Sequence, residues 1–181
     1  MDEDSSDFDQ FAAEFGKDPF EPLLPLDRDR IKKVLEKHNW SYQVNHEGDI
    51  GGAWQHGTYF FQVTGENDSI FCVRGTWSGQ ADLDDFLLIS SLCNRWNTDY
   101  YWPKAYTRVT DEREVFVHTE LPISYRQGLS DFQLDEHIRC ALESSEDFFE
   151  NLSKKFAEKE APETDSDSET EEDDEKPGDS F

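Results

Sequence analysis

Basic residues are scarce in this chain. Lys and Arg number 17 against 42 Asp and Glu, a formal net charge of −25. Such a surface repels phosphate backbones and anionic lipid. No stripe of Lys and Arg with interleaved aromatics interrupts it, so neither nucleic acid nor membrane is an expected partner. Cysteine is also rare. Cys72, Cys93 and Cys140 are odd in number, widely spaced and set in apolar segments. That pattern predicts buried free thiols in a reducing compartment, and hence a cytoplasmic protein. No apolar run is long enough to span a bilayer. The acidic N-terminus has no apolar core of the kind a signal peptide needs.

Catalytic signatures are missing as well. Gly75-Thr-Trp-Ser-Gly79 places its serine one position too late for a nucleophile elbow. There is no phosphate-binding glycine loop, no C-x-x-C and no H-E-x-x-H, which removes the usual zinc spacings. His46, Asp49 and His56 flank a Gly-Gly-Trp segment, but their types and spacing read as turn and surface residues. The expectation is a chain with no catalytic residues, no metal and no cofactor.

What is present is unevenly distributed. Met1–Asp27 carries nine acids and one Lys; Glu158–Phe181 carries twelve acids and two Lys. Nearly all Trp and Tyr lie between. This divides the chain into an acidic, mostly disordered segment over 1–25, a folded domain over 26–157 and a disordered acidic tail over 158–181. Thr164, Ser166, Ser168 and Thr170 in the tail suit an acid-directed kinase. In the first segment, Phe8, Phe11, Ala12 and Phe15 recur at helical spacing and would share one face of a short helix. Pro19, Pro22 and Pro25 then predict an extended connector.

Within the domain, Asp27 is positioned to cap a helix over 28–38 whose inner face is Ile31, Val34, Leu35 and His38, with Arg30 pointing elsewhere. Strands are expected at 40–44, 50–54, 58–64 and 69–77, separated by Gly- and Asn-containing turns. Gly51-Gly52 suggests a bulge or close backbone approach. In the fourth strand Phe71, Val73 and Trp77 share one face, and Ile70, Cys72 and Arg74 the other. A second helix over 82–96 is apolar almost all round, which places it centrally or at an interface. A hairpin follows at 103–109 and 114–121, where Val115, Val117, Thr119 and Leu121 alternate with Phe116, His118 and Glu120. Ser130 caps a long last helix reaching about Phe156, with Leu134, Ile138, Ala141, Phe148 and Leu152 in its stripe. The order α-β-β-β-β-α-β-β-α is that of an α+β domain, a twisted antiparallel sheet flanked by helices. The run Ser91–Tyr106, SLCNRWNTDYYWPKAY, turns from helix to strand and is its aromatic hub.

Several of these stretches together resemble the YbjN-domain family, described as bacterial sensory-transduction regulators. The likeness is carried by Arg30-Ile31 with Val34-Leu35, by Glu47-Gly48-Asp49-Ile50 with Trp54, and by Val73-Arg74-Gly75-Thr76-Trp77. It continues at Asn94-Arg95-Trp96-Asn97, at Trp102-Pro103-Lys104-Ala105-Tyr106, and at Gly128-Leu129-Ser130 with Gln133-Leu134. The resemblance implies a type III secretion chaperone-like fold and a noncatalytic, chaperone-like or regulatory module that binds a protein or peptide, commonly as a homodimer.

The first functional reading is therefore a binding module with Trp77, Trp96 and Trp102 as aromatic anchors and Arg74 and Lys104 as polar handles. Phe8, Phe11 and Phe15 form its candidate cis-inhibitory segment. An alternative is a small-molecule sensor or enzyme, which would need Asn94, Asn97, His56 and Asp49 to converge in one pocket. A third reading is an acidic mimic of nucleic acid.

Overall fold

A computed structural model describes residues 22–160; the Phe8, Phe11 and Phe15 segment and the acidic tail beyond residue 160 lie outside these. Three helices and six strands follow one another as α1 (Arg28–Lys37), β1 (Gln43–Val44), β2 (Ile50–Ala53), β3 (Gly57–Thr64), β4 (Ile70–Trp77), α2 (Phe86–Asp99), β5 (Lys104–Val109), β6 (Val115–Ser124) and α3 (Asp131–Glu160). The strands form a single antiparallel sheet in the order β1-β2-β3-β4-β6-β5. This is the α+β order that the hydrophobic periodicities predict.

Local chemistry sets the helix ends. Asp27 accepts a hydrogen bond from the Asp29 amide at 2.7 Å, capping α1. Ser130 and Gln133 form a reciprocal capping box ahead of α3: the Gln133 amide donates to Ser130 Oγ at 3.1 Å and the Ser130 amide to Gln133 Oε1 at 2.9 Å. Helix α2 starts at Phe86, not Asp82, because Asp82 uses its carboxylate to accept from the Asp84 amide at 2.9 Å, closing an Asx turn before the helix can begin. It also runs past Trp96 to Asp99. Asn97 does not end it, but bonds sideways: its amide accepts from Ala105 N and donates to Ala105 O, both at 2.9 Å. One side chain thus ties the helix to the edge strand β5.

The core lies between the helices and one face of the sheet. Tyr59, Phe61, Phe71, Val73, Val117 and Leu121 from the strands meet Ile31, Leu35, Ile89, Leu134, Ile138 and Phe149 from the helices. Helix α3 lies close to the sheet because Gly57 and Gly75 leave space for the Phe149 ring. A Cβ on Gly57 would stand 2.8 Å from that ring; one on Gly75 would stand 2.5 Å from Thr119 Oγ1.

Some sequence expectations need correction. The strand over 40–44 shortens to Gln43–Val44, since the Trp40 amide is used to close α1 on Leu35 O. Gly51-Gly52 makes a close approach and no bulge; the register through β2 and β3 is continuous, and a Cβ on Gly52 would lie 2.8 Å from Ser41 O. Arg30 points inward. Its guanidinium donates to the carbonyls of Leu24, Pro25 and Leu129 and to Asp131 Oδ1 at 2.7–3.1 Å, joining the strap before α1 to the start of α3. Helix α2 is not central: Ile89, Cys93 and Trp96 are buried while Leu87 and Leu88 face solvent.

Candidate functional site

All three helices pack on one face of the sheet, so the strand residues of opposite parity form an open face. Cross-strand register arranges them in rungs. One rung runs Gly51, Phe60, Arg74, Glu120, Lys104; the next runs Thr58, Thr76, His118, Tyr106; Phe116 stands opposite Arg108 beyond it.

Glu120 is the centre of this face. It accepts from Arg74 Nε at 2.9 Å and Arg74 Nη2 at 2.6 Å on one oxygen, which also accepts the Tyr106 hydroxyl at 2.7 Å. The other oxygen accepts from Lys104 Nζ at 3.2 Å. Lys104 also lies 4.5 Å above the Tyr106 ring. Partial burial works to raise the Glu120 carboxyl, but bonds from Tyr106, Arg74 and Lys104 outweigh it and hold the group below the ordinary carboxylate range. Burial and the Glu120 carboxylate push the Tyr106 phenol up to about 12. His118 Nδ1 shares a hydrogen bond with Thr76 Oγ1 at 3.0 Å, and burial, then the nearby Arg74 charge, lower its pKa.

Apolar surface flanks this polar centre. Phe60 and Phe116 are 42% and 39% exposed, large values for Phe within a sheet. The Phe60 ring lies over Gly51, 3.2 Å from where a Cβ would stand. Beside it, a groove of about 480 Å³ opens at the β1 edge, lined by Tyr42, Val44, Asp49, Gly51, Thr58 and Phe60.

The structure divides the five residues expected at a partner site. Arg74 and Lys104 meet on Glu120. Trp77 and Trp96 are buried on the helix side, 7% and 9% exposed, and stand away from the open face that carries Arg74 and Lys104. Trp77 Nε1 donates to Ser153 Oγ at 2.9 Å, and Trp96 stacks on Tyr100 with centroids 4.1 Å apart. Trp102 is half-exposed on the corner between α2 and β5. Asn94, Asn97, His56 and Asp49 do not converge: Asp49 bonds Asn45, Asn97 bonds Ala105, and the His56 amide donates to Glu146 on α3. Among the described residues no three His, Cys, Asp or Glu side chains are grouped to hold a metal ion, and no helix is long and apolar enough to cross a membrane. Glu120, Tyr106, Phe60 and Phe116 are the additions. Alternation put Phe116, His118 and Glu120 on one face of their strand. Pairing β6 with β4 across the intervening α2 and β5 is what brings Arg74 to Glu120.

The sequence model of the YbjN family, described as "Putative bacterial sensory transduction regulator", matches residues 27–154. The chain belongs to the YbjN family. Its YbjN domain thus takes in the whole sheet, both shorter helices and most of α3. A solved structure, "Crystal structure of YbjN, a putative transcription regulator from E. coli", superposes with a TM-score of 0.63 at 13% identity, covering 74% of this chain and 96% of that one. At that identity the likeness concerns the fold. No match was found among curated proteins. The family description is that of a regulator, not of an enzyme.

Proposed function

We propose that this chain is a noncatalytic regulatory module that binds a protein or peptide segment on the open face of its sheet. The observation that carries this reading is the exposure of Phe60, which continues the Arg74–Glu120–Lys104 rung, and of Phe116, two rungs further along β6. Exposed aromatics around an Arg are the composition of a protein interface core. The polar centre is already paired within the face, so a partner gains apolar burial without leaving Glu120 unpaired. Arg74, Lys104 and Arg108 outnumber Glu120 on these rungs, which favours an acidic, aromatic partner segment and speaks against an acidic mimic using this face.

Self-association belongs to the same reading. Its contact is the first turn of α2, where Leu87 is 79% exposed and Leu88 lies beside it. The free thiols of Cys72, Cys93 and Cys140 support a reducing, cytoplasmic setting.

The test is site-directed photo-cross-linking in cells. A benzophenone amino acid replaces Phe116 in the full chain, or Glu136 on exposed α3 as a control. One defined adduct from position 116, absent from 136 and reduced by Arg74→Glu with Lys104→Glu, is the expected result. Equal, diffuse labelling from both positions overturns the reading.

A further inference from the structure

A second concavity lies on the opposite side of the molecule, between α2 and α3. It has a volume of about 380 Å³. Trp96, Tyr100, Phe148 and Leu152 form its apolar floor, and Arg95, Lys154 and Lys155 stand among its lining with Asp99 as the acid. Arg95 lies 3.9 Å from Asp99 and Lys154 pairs with Glu150 at 2.8 Å; in a chain of net charge −25, a lining with three bases and one acid is still a local enrichment in positive charge. Trp96 lines the groove while 91% buried, and its Nε1–H has no hydrogen-bond partner among the described residues. A buried indole donor is normally paired, because leaving it unpaired forfeits its hydration with nothing in return. An apolar floor and a lining in which the bases outnumber the acids together describe a receptor for an acidic, aromatic segment.

We infer that this groove is the docking site of the chain's own N-terminal segment around Phe8, Phe11 and Phe15. Three independent features match. The segment places three Phe and an Ala on one face at helical spacing, and surrounds them with Asp7, Asp9 and Glu14. Those carboxylates are complementary to Arg95 and Lys154, whose present pairs with Asp99 and Glu150 lie at the surface and exchange readily.

The length of chain also fits. Leu24 is bridged to Leu129, just before α3, by hydrogen bonds of 3.1 and 2.9 Å. Nine extended residues from Leu24 back to Phe15 span about 30 Å. The distance from Leu129 along α3 to Phe148 is about 28 Å at the helical rise. Pro19 and Pro22 favour the extended path. A helix from Phe15 back to Phe8 then covers about 10 Å, the same length as α3 from Phe148 to Lys155. The acidic tail beyond residue 160 follows α3 directly in sequence but carries a single aromatic, Phe181, at its far end. It matches the basic rim and not the apolar floor. Docking of the Phe segment closes the α2–α3 side of the domain in cis. This inference does not depend on the sheet-face reading, since Phe60 and Phe116 play no part in it.

The full chain with ¹⁵N-indole-labelled tryptophan provides the test, the Trp96 signal being assigned with Trp96→Phe. The triple variant Phe8→Ala, Phe11→Ala, Phe15→Ala is expected to shift the Trp96 indole signal and speed its solvent exchange about tenfold. The Trp77 indole, bonded to Ser153, stays in place and reports that the fold is intact. A synthetic peptide of residues 5–18 added to the triple variant restores the Trp96 signal saturably, and Arg95→Gln with Lys154→Gln weakens that restoration severalfold. An unchanged Trp96 signal in the triple variant overturns the inference. So does a Trp96 signal that responds only to neutralising the acids of the tail, or one that depends on protein concentration.

Discussion

The two faces of the sheet are made by the same strands and differ in what the alternate residues meet. On the helix side, Tyr59, Phe71, Val73, Val117 and Thr119 are at most 2% exposed. On the other side, Phe60, Arg74, Tyr106, His118 and Phe116 are partly exposed and Glu120 is sheltered by its own partners. The covered face obtains its order from packing; the open face obtains its order from one carboxylate collecting three donor side chains. Substitutions on the first should therefore be read in stability, and on the second in binding.

The largest effect tests the covered face. Phe149→Ala removes the ring that fills the space above Gly57 and Gly75, and should cost about 3–5 kcal/mol in a denaturant melt. A loss below about 1 kcal/mol would mean that α3 is not held by this contact, and the contrast between the faces would collapse.

Next comes His137, buried at the covered side. Its Nε2–H donates to Leu121 O at 2.9 Å, and Nδ1 accepts from the Tyr125 hydroxyl at 3.0 Å. Burial lowers its pKa to about 4, the Leu121 bond opposing only in part. The unfolded chain, with an ordinary His near 6.5, binds the proton first, so stability is complete above about pH 6.5 and falls as the pH drops toward 4. The expected loss across that window is up to about 3 kcal/mol. His137→Gln should start less stable yet show a flatter profile there. An equal slope in both proteins would assign the acid sensitivity to other groups.

Arg30 tests the seam between the strap and α3. Arg30→Met keeps the aliphatic stem and removes donors to three carbonyls and Asp131. A loss of about 2 kcal/mol is expected, with faster amide exchange at Leu24 and Leu129. Retention of slow exchange at both would show that the backbone bridge holds without the guanidinium.

The smallest change in stability should come from the open face. Phe60→Thr and Phe116→Thr keep strand propensity and should shift stability by no more than about 0.5 kcal/mol, while Phe60→Thr reduces the photo-adduct formed from position 116. A large stability loss from either would make these rings part of the fold and weaken the case for a partner surface.

Much of this was legible in order along the chain. The 2-residue alternation of Val115, Val117, Thr119 and Leu121 put Glu120 opposite the core side, and the 3.6-residue stripe of Leu134, Ile138, Ala141 and Phe148 marked α3. Capping at Asp27 and Ser130 was equally readable. The candidate site was legible only in part. Arg74 and Lys104 were singled out, but their meeting point was not: Glu120 faces Lys104 across the β5–β6 hairpin, but reaches Arg74, 46 positions away, only through the pairing of β6 with β4. Trp77 and Trp96 fall on the helix side, apart from Arg74 and Lys104, for a related reason: aromatic content signals burial and binding alike, and only the packing of the helices decides which face an aromatic joins.

By itself, then, the sequence determined the element order, the α+β class and the parity of each strand, since these follow from local periodicity and capping within a few residues. Only the tertiary structure decided that all the helices would cover one face of the sheet, that Arg30 would turn inward to carbonyls of separate segments, and that β6 would pair with β4. Those outcomes depend on contacts between residues 40 to 100 positions apart, whose partners are selected by packing of the whole sheet against α3 and leave no local pattern in the chain.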